Sequence, residues 1–77
     1  MITLNQLPKG EAATVAKLLD NEITPRLMDM GLYEGQKIEV LFKAPLGDPL
    51  AVEVGEVVVS LRLEEASLVV VSALESQ

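Results

Sequence analysis

The 77-residue sequence carries six basic and twelve acidic side chains, a net charge of −6, and 49% of its residues are hydrophobic. It has no cysteine and no histidine, which excludes disulfides, thiolate and imidazole metal ligands, and the Ser-His-Asp and Cys-His catalytic sets. The length allows one domain, residues 1–77, and the acidic balance opposes binding to nucleic-acid phosphates. We therefore expect one small acidic domain that is not an enzyme and does not bind nucleic acid.

The apolar runs and the N-terminal residues indicate the cellular location of the protein. The longest uninterrupted apolar run is far shorter than the roughly 20 residues that a membrane span requires. The chain begins with alternating apolar and polar residues rather than a basic and then an apolar targeting segment. The sequence therefore predicts a cytoplasmic protein without direct membrane insertion.

The first half of the chain predicts one long strand followed by one short helix. Residues 10–19 alternate between apolar and polar side chains, as is typical of a strand. Thr24 suits the N-cap of a helix and Pro25 its first position, while Leu27 supplies part of an apolar side. Gly31 suits the left-handed residue just past the helix end.

The second half of the chain predicts four further strands. They are expected at residues 36–43, 50–54, 57–61 and 68–72. In the first of them, Ile38, Val40 and Phe42 should share the apolar face. Gly55-Glu56 is typical of a tight hairpin, and residues 64–66 are expected to form a short connector.

These elements predict a mainly β fold of about five strands with one short helix inserted after the first long strand. Five strands in so short a chain favour closure, because an open sheet would leave long edges exposed. We predict an SH3-like barrel, and the OB-fold, which has a similar size and strand number, is the alternative.

The last two strands contain more apolar residues than one buried face requires. If Val57, Val59, Leu61, Val69 and Val71 fill the barrel, alternation turns Val58, Leu63, Leu68 and Val70 outward. An exposed apolar strip indicates a surface for a partner or for homo-oligomer formation. The alternative is that one of the chain ends folds over the strip.

The segment Ala44-Pro-Leu-Gly-Asp-Pro49 cannot be the interior of a strand, because two prolines remove ladder donors. Two prolines also fix the shape of a loop at low entropic cost, which suits recognition. We predict that Pro45, Leu46, Gly47 and Asp48 contact a partner; a rigid turn between two strands is the alternative. Arg26 is a further candidate contact, against an ordinary surface ion pair.

No residue is assigned to catalysis, to a cofactor or to a metal. The adjacent carboxylates Glu64 and Glu65 are expected to be a solvated surface pair. If they met Asp48 in space, they would offer a weak oxygen-only site for Fe²⁺ or another divalent cation.

Four segments in order resemble the FeoA family, the ferrous iron transport protein A proteins. They are the early Leu7 with the Gly10 to Val15 stretch, the Arg-Leu-x-x-Met-Gly-Leu-x-x-Gly pattern over 26–35, the Ala-Pro-Leu-Gly-Asp-Pro loop over 44–49, and Leu61-Arg62 with Glu65-Ala66. The resemblance runs from end to end and implies an SH3-like fold.

The resemblance also implies a small accessory protein that binds the cytoplasmic part of FeoB, the membrane transporter for ferrous iron. One departure is that Pro25 stands where members often carry a second basic residue, which halves the positive charge there. The alternative is a metal-responsive regulatory domain like the C-terminal domain of DtxR-type iron-dependent repressors. This chain has no helix-turn-helix pattern and is too acidic to bind DNA by itself.

Overall fold

The structure, a computed structural model, describes residues 1–73 as short strands joined by turns and short helices. In chain order these are β1 (Ile2–Thr3), a 3-10 turn (Leu4–Gln6), β2 (Ala12–Leu18), α1 (Thr24–Asp29), β3 (Lys37–Lys43), β4 (Leu50–Val54), β5 (Val57–Leu61), α2 (Leu63–Ala66) and β6 (Val69–Ala73). The predicted mainly β class is confirmed, with six strands because the N-terminal segment adds β1.

The strands form one antiparallel sheet in the order β1-β6-β2-β3-β4-β5. Over residues 1–73 no ladder joins β1 to β5, so these two strands are the edges of a sheet that is curved around one core rather than fully closed. No helix in this part of the chain is long and apolar enough to cross a bilayer.

The core is aliphatic and draws on nearly every element. Its largest fully buried side chains are Leu4, Val15, Leu27, Leu32, Ile38, Val40, Leu50, Val52, Leu61 and Val69. The predicted alternation in β2 is confirmed, since Ala13 and Val15 are each 1% exposed. Leu4 belongs to the 3-10 turn. The Gln6 side chain stabilises this turn, because its Oε1 accepts a hydrogen bond from the Thr3 N–H at 2.8 Å.

Phe42 was expected on the apolar face of β3, and this prediction is wrong. Its side chain is 52% exposed, whereas Ile38 and Val40 are fully buried. Val40 pairs with Val52 and Phe42 pairs with Ala51, so Leu41 is the extra residue of a β-bulge. Because side chains alternate with a period of two, one inserted residue turns Phe42 to the outer face.

The expected apolar strip on β5 and β6 is confirmed for Val58 and Leu63, which are 58% and 40% exposed, and is wrong for Leu68 and Val70. Val70 is only 7% exposed, because β6 lies between β1 and β2, where Val70 is opposite Thr3 and Lys17. Leu68 is half-buried and packs against the core. Val57 was expected inside, but it is 58% exposed because it sits at the hairpin end of an edge strand.

Helix α1 begins differently from the prediction. The Thr24 hydroxyl does not accept from a first-turn N–H; it donates to the Leu19 carbonyl, and Thr24 is buried. Ile23 is the N-cap residue, and α1 has no side-chain cap; the Asn21 side-chain oxygen accepts from the Ile23 N–H, before the helix, at 3.0 Å. Pro25 lies in the first turn but one position later than predicted, because the helix begins at Thr24. The prediction for Gly31, just past the helix end at φ +95°, is confirmed.

Candidate partner-binding site

The loop between β3 and β4, residues 44–49, is closed by its own backbone. The Gly47 N–H donates to the Ala44 carbonyl at 2.7 Å, and the Ala44 N–H donates to the Pro49 carbonyl at 3.1 Å. Gly47 has φ +83°, a conformation that residues with a side chain rarely adopt. These contacts hold Leu46 at the tip, where its side chain is 92% exposed.

Asp48 attaches this loop to helix α2. Its Oδ1 accepts a hydrogen bond from the backbone N–H of Leu63 at 3.0 Å. Leu63 is the first residue of α2, so its N–H has no partner inside the helix. This hydrogen bond connects the loop to the start of α2, and Asp48 thus has an anchoring role that the sequence did not indicate.

Glu65 contradicts the prediction of a solvated carboxylate pair. It is only 6% exposed, its Oε1 accepts from the Arg62 N–H at 2.7 Å, and its Oε2 lies 3.4 Å from the Arg26 guanidinium. Glu64 beside it is exposed, as predicted. The Arg26 side chain, 69% exposed, thus ties α1 to α2 while most of it stays in water.

An open cleft of about 660 Å³ lies between the loop, α2 and the 3-10 turn. It is lined by Asn5, Asp48, Arg62, Leu63, Glu64 and Ser67. Sequence reasoning missed Asn5, although the Thr3-x-x-Gln6 spacing is a recognised signal for a capped turn at that place. Leu63, 40% exposed, and the loop tip add apolar surface beside the charged groups of the cleft.

The predicted contact residues do not form one continuous site. The structure places Pro45 to Asp48 together and connects them through α2 to Arg26. Val58 is exposed on the edge strand β5 and pairs with Glu53, towards the hairpin end of β4 rather than the end that follows the loop. Leu68 is half-buried and Val70 is buried. A separate apolar groove of about 300 Å³ is lined in part by Met28 and Tyr33.

The carboxylates considered for a cation do not converge. Over residues 1–73 no three acidic side chains approach closely enough to hold a metal ion. Glu65 is engaged by Arg62 and Arg26, and Asp48 by the Leu63 N–H. The oxygen-only site considered from Asp48, Glu64 and Glu65 is therefore not formed.

Comparison with known proteins gives this fold a family. The family model of the FeoA domain matches residues 2–73. The chain belongs to the FeoA family. The expected family is thus confirmed. The expected SH3-like fold is confirmed by the likeness to Stenotrophomonas maltophilia FeoA, which is described as a procaryotic SH3 domain protein and whose structure contains zinc. That protein is 35% identical, with a TM-score of 0.83 over 94% of this chain and 91% of that one.

Two further FeoA structures are similar. The FeoA-like protein of Clostridium acetobutylicum is 31% identical, with a TM-score of 0.90 over 99% of this chain and 90% of that one. Iron(II) transport protein A of Clostridium thermocellum is 34% identical, with a TM-score of 0.87. The match covers 95% of this chain but only 46% of the Clostridium thermocellum protein, so this chain spans less than half of that protein's length. No functionally curated protein matches this FeoA-family sequence.

The FeoA fold is shared with a different class of protein. A manganese-dependent transcriptional repressor has a TM-score of 0.86 over 95% of this chain and 41% of its own, at 20% identity. Identity this low shows a common fold and carries no function. The predicted likeness to domains of metal-dependent repressors is thus confirmed at the level of the fold.

Proposed function

We propose that this chain is a cytoplasmic accessory protein that binds the cytoplasmic part of the membrane transporter FeoB. Membership of the FeoA family implicates it in ferrous iron transport. The finer assignment, direct binding to FeoB, is supported by the surface around the loop over residues 44–49.

The observation that carries the proposal is Leu46. A leucine that is 92% exposed gains nothing from folding, but its transfer into a partner's pocket is worth about 1.5–3 kcal/mol. The loop that carries it is already closed by two backbone hydrogen bonds and by Asp48. Little conformational entropy is lost when such a preorganised loop binds.

The charges around Leu46 define what the partner should offer. From residue 44 onward the sequence has one basic and six acidic side chains. Asp48 and Glu64 line the cleft beside the loop, with Arg62 as its one cation. The partner surface that fits is an apolar pocket next to basic groups, and the acidic half of this chain would be steered towards it.

Calorimetric titration of the chain into full-length FeoB in detergent, with and without guanine nucleotide, tests the proposal. We expect Leu46→Ser to weaken binding by about tenfold or more, because one buried aliphatic anchor is lost. Met28→Ser is the matched control, since Met28 is an exposed apolar side chain, 57% accessible, on another surface.

Two outcomes would contradict this site. Equal affinity of wild type and Leu46→Ser would remove the loop from the interface. Loss of binding in Met28→Ser alone would move the interface to the groove beside α1.

The second candidate function is a metal-responsive regulatory domain, and the observation behind it is the fold shared with the manganese-dependent repressor. Titration of the isolated chain with Fe²⁺ and Mn²⁺ separates the two candidates. Stoichiometric metal binding without any affinity for FeoB favours the regulatory domain, and the reverse result favours the accessory protein.

A further inference from the structure

Strand β5 is an uncovered edge of the sheet. It is the last strand in the sheet order and pairs with β4 alone among the described residues. Residues 57–61 contain no charged side chain, and Val57 and Val58 are each 58% exposed. Charged residues, prolines or covering loops normally protect such an edge, because its unpaired N–H and C=O groups are a template for another strand.

The hairpin determines which backbone groups of β5 are free. A two-residue turn at Gly55-Glu56 makes Val54 and Val57 a hydrogen-bonded pair. Since hydrogen-bonded and non-hydrogen-bonded pairs alternate, Val59 also directs its N–H and C=O to β4. The backbone groups of Val58 and Ser60 therefore point out of the sheet, and no backbone partner for them occurs within residues 1–73.

We propose that two copies of this chain associate by antiparallel pairing of β5 with β5, with the twofold axis at Val59. In this register Val58 lies opposite Ser60 of the second copy, so the outward groups exchange N–H···O bonds at two symmetric positions. Glu56 belongs to the hairpin turn and lies just beyond this ladder, where the same register places it next to Arg62 of the second copy, again twice. Both residues are exposed, and the Arg62 backbone is extended at φ −72° and ψ 156°.

Charge complementarity is the reason for choosing a second copy as the occupant. Residues 56–62, Glu-Val-Val-Val-Ser-Leu-Arg, are acidic at one end, apolar in the middle and basic at the other end. When two copies of this segment run antiparallel, the acidic end of each one faces the basic end of the other. A twofold interface requires such self-complementarity, because both copies use the same patch. A twofold axis at Val58 or at Ser60 would keep the hydrogen bonding but leave Glu56 and Arg62 without opposite charges.

The ladder ends where α2 begins. The Arg62 N–H donates to Glu65, and the Arg62 carbonyl accepts from the Ala66 N–H. Intermolecular backbone bonds are therefore confined to Val58 and Ser60, and the interface is small. Small interfaces of this kind are weak, so the dimer dissociates in the micromolar to millimolar range.

Sedimentation equilibrium over a series of protein concentrations tests the proposal with charge-swap variants. The wild type should shift from its monomer mass of 8.3 kDa towards twice that mass. Glu56→Arg and Arg62→Glu should each raise the dimer dissociation constant by about fivefold or more, since like charges then lie next to each other at two places. The double variant Glu56→Arg, Arg62→Glu restores opposite charges and should return the constant close to that of the wild type.

Ser60→Pro provides a test that does not depend on charge. Proline removes the outward N–H of Ser60 and leaves the hydrogen bonds to β4 in place, as proline on an edge strand does. It should abolish dimer formation, with thermal unfolding confirming that the variant is folded; if it is not, the charge-swap series decides alone. Leu46→Ser should leave the dissociation constant unchanged, which separates this proposal from the FeoB site.

Two results would overturn the proposal. One is a wild type that stays monomeric up to millimolar concentration. The other is a dimer whose dissociation constant is the same in both single charge variants as in the wild type, because its interface would then lie elsewhere.

Discussion

Glu65 shows how much one side chain contributes to this small domain. Its two carboxylate oxygens serve the first turn of α2, through the Arg62 N–H, and helix α1, through Arg26. Because Glu65 is almost fully buried, loss of its carboxylate leaves a backbone donor without a partner away from water. Arg26, by contrast, is mostly in water, so its guanidinium stays hydrated when the Glu65 carboxylate is removed.

We expect Glu65→Ala to lower the free energy of unfolding by about 1–3 kcal/mol, the cost of an unsatisfied buried group. Arg26→Ala should cost less than Glu65→Ala, because the Arg26 side chain is mostly in water and Glu65 keeps its hydrogen bond from the Arg62 N–H. Urea unfolding followed by circular dichroism measures both. Glu64→Ala is the matched control on the same turn, and equal losses for the two glutamates would contradict the buried role of Glu65.

At the scale of elements, the β-bulge at Leu41 decides what β3 presents to solvent. Before the bulge, Ile38 and Val40 point into the core; after it, Phe42 points out opposite Ala51. A single extra residue thus exchanges the faces of the strand just before the loop that carries Leu46. The phenyl ring of Phe42 is exposed because the bulge shifts the register, although the strand still has a buried face.

The bulge leads to a stability prediction. Phe42→Ser should change the free energy of unfolding by less than about 1 kcal/mol, since surface substitutions cost little. Ile38→Ala, four residues earlier on the buried face, should cost about 2–5 kcal/mol. Denaturant midpoints compare the two variants. An equally large loss of stability in Phe42→Ser and Ile38→Ala would contradict the exposed position that the bulge gives Phe42.

At the scale of the whole molecule, charge opposes folding. The net charge is −6, and Arg26–Glu65 is the one ion pair found among residues 1–73. The molecule measures 36 × 27 × 26 Å. At 0.01 M salt the Debye length of about 30 Å is comparable to these dimensions, whereas at 0.1 M the Debye length of about 10 Å is much shorter than any of them. Repulsion across the molecule is therefore removed by modest salt.

We expect the free energy of unfolding to rise by roughly 0.5 kcal/mol between these two salt concentrations, about the size of one exposed charge interaction. Urea unfolding in a neutral buffer with added sodium chloride measures the change. The comparison should be made at a protein concentration where the chain is monomeric, so that dimer formation does not contribute. A fall in stability with salt would show that attractive pairs outweigh the net repulsion.

Much of the chain follows from local pattern. The strands β4 and β5 begin and end at the predicted residues, because alternation brackets a two-residue turn that contains glycine. The 44–49 loop follows from its prolines, and the family from four short segments spread along the chain. The aliphatic core follows from a composition with 49% hydrophobic residues and only one tyrosine and one phenylalanine.

Other features required the tertiary structure, because they depend on contacts between distant residues. Val70 is buried because two strands from the N-terminal part of the chain, β1 and β2, flank β6, and Phe42 is exposed because β4 pairs around Leu41. Glu65 meets Arg26, 39 residues away in the sequence, because the fold brings α1 and α2 together, and Asp48 has its anchoring role because α2 begins beside the loop. The sequence alone determined five of the six strands, helix α1 and the family; long-range packing decided which faces, edges and carboxylates are free to bind.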